Sequence, residues 1–223
     1  MLRFIGLLML TLNVLSEVPS EEERAAIVEC HTNLRERVEP SASNMQLMSY
    51  SFELEKLAQQ LYPVCAADFN ESDPKYQNVG IIELTSANDK PRFRDLCKVN
   101  SSAYNYDKDK CSGHCINYLQ AIWAQTKQIG CALGQCKNMY DPSKLEYYIT
   151  CIYKPSLLVL NPRPYESGPS CSKCPEGSAC HRRQCYDTSS STQQGTSVSA
   201  VFSPLYALIC AMFYFLSLNN FSS

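Results

Sequence analysis

Apolar residues recur along the chain at two periods, and the change from one to the other separates helices from strands. Ser20 precedes Glu21, Glu22 and Glu23, a serine cap with a glutamate three positions on and acid at the positive end of a helix dipole. Ile27, Cys30, Leu34 and Val38 then recur on one face, and Pro40 stops the run. After the turn-rich PSASN segment a second helical period holds Leu54, Leu57, Ala58 and Leu61, closed by Pro63 and Cys65. The next residues, to Pro74, are polar and loop-like. YQNVGIIEL turns apolar after Asn78 and fits either strand or helix. KPRFRDLCKVNSSAYNYDKDKCSG mixes a helical pattern with tyrosines and charges. Ile116, Leu119, Ile122 and Trp123 form a third helical face, which Gly130 is expected to end. Two strands follow, GCALGQC and EYYITCIY, the second with Tyr147, Ile149, Cys151 and Tyr153 on one face. The turn between them holds Asp141-Pro142, and Cys131 and Cys151 can meet across the hairpin. Helices mixed with an antiparallel pair predict an α+β domain.

Both ends read as addresses rather than fold. Residues 1–16 carry a short basic start, an apolar run from Phe4 to Leu15, and Val14 and Ser16 at the positions of a signal-peptide cleavage site. Residues 201–218 form an apolar tail with no following cation, preceded by small residues at Ser189, Ser190 and Ser191 and a polar spacer. That order favours a GPI-anchor signal over a single spanning helix. Residues 187–200 are a Ser/Thr/Gln stalk.

Thirteen cysteines place the chain in an oxidising compartment. Cys210 falls in the apolar tail, and the other twelve read as six disulfides, which would leave no thiol for nucleophilic catalysis. Four of them lie within CSKCPEGSACHRRQC, a segment with too few apolar residues for a core of its own. Its CxxC and His181 admit a zinc site as the rival to two disulfides. Sequons at Asn70 and Asn100 fit the same compartment. A formal charge of −2 with no basic stripe gives no support to nucleic acid as a partner.

In order and spacing, several motifs resemble the CAP superfamily of cysteine-rich secretory, antigen 5 and pathogenesis-related 1 proteins, and within it the venom-allergen-like group. HTNLRERVEPSASNM is similar to the family's first helix, with Thr32 where Asn is usual. MQLMSYSFELEKLAQQLYPVC resembles the second, with Tyr50 for Trp. YLQAIWAQTKQIGCALGQC resembles the signature helix and strand, and YYITCIY with PRPYESGPSCSKCP the last strand and hinge. The resemblance implies a three-layer α-β-α sandwich over residues 20–165 and a disulfide-rich hinge over 166–186. It also implies the pairs Cys65–Cys136, Cys131–Cys151, Cys171–Cys180 and Cys174–Cys185. Lys75 and Lys154 stand where a further bridge of the secretory group would be. Cys30, Cys97, Cys111 and Cys115 remain, as two bridges with three pairings open.

Many members of that superfamily hold two histidines and two glutamates in a central cleft, sometimes with a divalent metal. The matching positions here are Asp68 to Asn70, Gln77, Asn100 near Cys97, and Asn117. An amide keeps its hydrogen bonds but has no usable pKa, so it is no general base and a poor zinc ligand. His114 is the one imidazole close to the cleft sequence, three residues before Asn117. His31 reads as a packing or hydrogen-bonding residue of the first helix. No cofactor and no metal are expected. The reading is a non-enzymatic extracellular module, held at the membrane by its C-terminal anchor, that binds protein or lipid partners. Sterol or lipid carriage, through Tyr104 and Tyr106, is the alternative, and a metal-dependent hydrolase fares worst.

Overall fold

A computed structural model describes residues 16–62, 72–99, 101–138, 141–156 and 163–188. Helix α1 spans Glu21–Glu36; the Ser20 side chain accepts from the Glu23 N–H, and the Glu23 carboxylate accepts from the Ser20 N–H. The short strand β1 (Ser49–Tyr50) leads into α2 (Phe52–Gln59), which Ser51 caps. After it come β2 (Gly80–Ser86), a 3₁₀ turn at Phe93–Cys97, and the ribbon β3 (Tyr104–Asn105) with β4 (Lys110–Cys111). Helix α3 (Ile116–Ala121) precedes the long hairpin β5 (Gln128–Lys137) and β6 (Leu145–Lys154). A small hairpin, β7 (Ser178–His181) with β8 (Gln184–Asp187), closes the described chain.

The main sheet runs β1-β5-β6-β2, with β5, β6 and β2 antiparallel and β1 parallel to β5. Strand alternation sends one set of side chains to each face. Ile129, Cys131, Leu133, Ile149, Cys151 and Tyr153 pack with Ile27 of α1 and with Phe93 and Leu96 of the 3₁₀ turn. Ala132, Cys136 and Ile152 pack with Leu54, Ala58, Leu61 and Tyr62. Helix, sheet and helix are therefore the three layers of an α+β sandwich. Two glycines let α2 lie directly on β5. A Cβ on Gly130 would stand 2.2 Å from the Glu55 backbone nitrogen, and one on Gly134 would stand 2.4 Å from the Tyr62 ring.

Three expectations from periodicity are corrected. The inward residues of α1 are Ile27, His31, Thr32 and Arg35, while Cys30 and Leu34 are half-buried. A polar face is buried here because each polar group on it finds a partner. Gly130 does not end α3: that helix stops at Ala121, and Gly130 lies inside β5, paired with Ile152. Ile116 is 47% exposed, and the buried side of the segment is Tyr118, Gln120, Ala121, Ile122 and Trp123. The ambiguous YQNVGIIEL resolves as strand from Gly80 onward.

Residues 163–187 pack on the domain by backbone pairing. Gly168 N donates to Ser41 O, Ser43 N to Glu166 O, Cys185 N to Met45 O, and Leu47 N to Cys185 O. Arg182 donates to both Glu29 oxygens at 2.9 and 2.8 Å, to Asn33 at 3.0 Å and to Glu36 at 2.7 Å, tying the tip of the β7–β8 hairpin to α1. Among the described residues no helix is long and apolar enough to cross a membrane. The segments read as signal peptide, most of the stalk, and tail lie outside the described residues, as do Cys65, Asn70, Asn100, Ser189, Ser190 and Ser191.

Candidate functional site

Of the cleft positions, those among the described residues fall at the start of α3 and on the approach to β2, while Asp68 to Asn70 and Asn100 lie outside the described residues. Asn117 is on the first turn of α3 and half-buried. Gln77, just after a 3₁₀ turn at Pro74–Tyr76, is exposed. His114 is exposed in the loop Cys111–Cys115, whose two ends are bonded to each other. Gln120, one turn on from Asn117, is buried, and its Nε2 donates to Thr126 Oγ1, which donates to Pro155 O. Gly80 leaves the room for that amide: a Cβ there would lie 2.1 Å from Gln120 Oε1.

Two ionisable groups below this region are sealed inside the protein. His31 is 1% exposed. Its Nδ1 faces Ile27 O at 2.7 Å, and a carbonyl can only accept, so Nδ1 carries the proton and Nε2 accepts from the Tyr153 hydroxyl at 2.9 Å. Burial, with the nearby Arg35 charge adding to it, lowers the imidazole to about 4, against a backbone hydrogen bond that works the other way. Burial likewise raises the Tyr153 phenol well above its ordinary value. Arg35, also 1% exposed, donates to the carbonyls of Gln46, Ala121, Trp123, Ala124 and Thr126. Burial pulls this guanidinium down to about 9, so it stays charged at neutral pH. It fixes the loop that joins α3 to β5, and nothing in the helical period of α1 singled it out.

A third polar group sits at the edge of the sheet. Arg24 pairs with Glu55 through Nε at 2.7 Å and Nη2 at 3.0 Å. The Tyr50 hydroxyl donates to Glu55 at 2.7 Å and accepts from Cys131 N at 3.2 Å. Tyr50, which the resemblance sets against a tryptophan, thus uses its hydroxyl to bind α2 to β5.

The tyrosines read as a lipid loop are engaged in the fold. Tyr104 donates to Asp109 at 2.8 Å. Tyr106 is buried, stacks on Tyr165 with ring centroids 4.7 Å apart, and donates to Tyr165 O at 2.9 Å. The structure pairs Cys30 with Cys97, Cys111 with Cys115, Cys131 with Cys151, Cys171 with Cys180 and Cys174 with Cys185. Cys136 is also disulfide-bonded. The sulfurs of Cys171, Cys174 and Cys185 lie within 4.8 Å of one another, but each belongs to a disulfide and none is a free thiolate ligand.

Residues 28–153 match the family model described as cysteine-rich secretory protein family, CAP. The chain is 30% identical over 186 residues to cysteine-rich secretory protein LCCL domain-containing 1 of Mus musculus, covering 75% of this chain and 37% of that protein. It is 29% identical over 170 residues to peptidase inhibitor 16 of Bos taurus, covering 74% of this chain and 36% of that one. These curated relatives are therefore matched over little more than a third of their length. Among solved structures, Na-ASP-1 superposes with a TM-score of 0.60 at 18% identity, covering 78% of this chain and 51% of that one, a likeness of fold.

Proposed function

The chain belongs to the cysteine-rich secretory protein family, and from that membership we propose that it acts outside the cell as a binding module without catalytic chemistry of its own. The observation that carries the proposal is the half-buried amide of Asn117 on α3, at the position where the resemblance implies an imidazole. Gln77 likewise stands in for a carboxylate. Neither side chain can hold a proton for transfer or place charge on a cation. His31 is neutral and sealed, so it meets no substrate. Every described cysteine is bonded, which leaves none of them as a nucleophile. His114 is exposed, and one imidazole without its carboxylates makes no site.

The partner is a protein or lipid, and the fold-bound state of Tyr104 and Tyr106 supports reading them as anchors rather than a sterol loop. The C-terminal segment holds the module at the membrane through a GPI anchor. The full chain, assayed against peptide and ester substrates, is expected to show no turnover that changes on His114→Ala. Turnover abolished by that substitution would overturn the proposal.

A further inference from the structure

Arg163 is an exposed guanidinium with a fixed direction. Its Nη1 donates to Tyr106 O at 2.6 Å and its Nη2 to Asp107 O at 3.3 Å, and its central carbon lies 4.6 Å from the Tyr106 ring centroid. Both acceptors are carbonyls, and no carboxylate pairs with Arg163 among the described residues. It lines an open cavity of about 440 Å³ together with Asn44, Trp123, Gln125, Tyr165 and Glu166.

The other polar groups on this cavity include Asn44, whose Oδ1 accepts from the Glu166 N–H at 3.0 Å and whose Nδ2 reaches Glu166 Oε1 only at 3.5 Å, which leaves it an N–H to donate. Trp123 is 3% exposed, and its indole N–H has no hydrogen-bond partner among the described residues. It is not sealed either, since Gln184 Oε1 is the one fully enclosed side-chain atom there without a partner. The N–H therefore keeps some exposure, and Trp123 lines the cavity, which makes that N–H a donor open to a ligand there. Gln125 is exposed and its amide is unengaged. Glu166 at the rim is paired with Lys173, so it does not cancel the charge on Arg163. The floor is rigid, because Ala124 N donates to Pro164 O at 2.7 Å and Arg35 holds the carbonyls of Trp123 and Ala124.

We propose that this cavity binds an acidic sugar, with the sugar carboxylate on Arg163 and the Trp123 N–H and its hydroxyls on Asn44, Gln125 and Glu166. The volume suits a small ligand. A guanidinium with spare N–H groups suits a carboxylate, and amides that donate and accept suit hydroxyls. A peptide C-terminus would bring the same carboxylate, but it also needs free apolar surface for its last side chain. Tyr106 is already covered by Tyr165 and by Arg163, which leaves little such surface. The site shares no residue with the cleft positions, so either reading can fail while the other stands.

The test is a calorimetric titration of the full chain in detergent with the methyl glycoside of N-acetylneuraminic acid. Methyl galactoside and a short peptide with a free C-terminus serve as comparators. Saturable binding of the acidic sugar is expected, about tenfold or more weaker for the neutral sugar and for Arg163→Gln, as loss of a charge-assisted contact implies. Arg37→Gln, at an exposed arginine lining two other cavities, is expected to change nothing. No saturable binding, equal binding of the neutral sugar, or preference for the peptide overturns the proposal. If Arg163→Gln lowers the melting temperature, Gln125→Ala decides, because that side chain bonds to nothing among the described residues. A loss of about threefold or more then supports the site, as one hydrogen bond is removed, and unchanged affinity overturns it.

Discussion

His31 and Arg35 lie one turn apart on the inward face of α1; Ile27 O of the same helix and the Tyr153 hydroxyl of β6 hold the first, and carbonyls outside α1 hold the second. Arg35 is a buried cation whose charge is spread over carbonyl dipoles. Its removal takes a donor from each of those buried carbonyls, of which Trp123 O and Ala124 O keep a backbone N–H, so Arg35→Met is expected to cost about 3–5 kcal/mol. Arg35→Lys, which keeps the charge but has fewer donors, is expected to cost less. Denaturant unfolding of both variants with disulfides intact checks the order. His31 makes stability depend on pH. Its folded value of about 4 lies below the ordinary histidine value of 6.5, so between those pH values the unfolded chain binds the extra proton. The contribution is complete above pH 6.5 and is lost as pH falls toward 4, on the order of 3 kcal/mol. Melting curves across that window should show a slope in the native protein that flattens in His31→Gln; equal slopes would contradict the assignment. The sequence made the residue types legible, including the amides at the cleft positions. It did not show that Arg35 points inward, because its partners are backbone carbonyls, which no side-chain pattern reports.

At the scale of elements, strands were readable from alternation and helix starts from their caps, whereas faces and ends were not. α3 stops at Ala121 although its apolar pattern continues, since Ile122 to Ala124 are buried in the loop that Arg35 clamps. Gly130 looks like a helix terminator until α2 is seen resting on it. Disulfide pairing among Cys30, Cys97, Cys111 and Cys115 was open because spacing does not fix connectivity. The two bonds differ in reach. Cys30–Cys97 closes 67 positions and joins α1 to the Phe93–Cys97 turn, while Cys111–Cys115 closes 4. Loop-closure entropy then assigns about 4 kcal/mol to the first and about 2 kcal/mol to the second. Paired Cys→Ser substitutions, compared by denaturant unfolding, are expected to follow that order; a larger loss at the short loop would contradict it.

For the whole molecule, the hinge segment is bonded into the domain along residues 41–47 and onto α1 through Arg182, so the described chain up to Asp187 forms one unit. Its cysteine density was legible, but its docking was not, because backbone pairing and the buried Gln184 carry it. The reading of the C-terminal tail as a GPI signal predicts that phosphatidylinositol-specific phospholipase releases the protein from cells expressing the full chain. Continued attachment with a cytoplasmic C-terminus would assign a spanning helix instead. The central claim is the proposal that the cleft carries amides, Gln77, Asn100 and Asn117, at the positions where the resemblance implies imidazole and carboxylate able to grip a metal. Its most direct measurement is zinc titration of the chelator-treated full chain at neutral pH. The account predicts no stoichiometric uptake, and one equivalent of zinc bound by the native protein and lost in His114→Ala would contradict it.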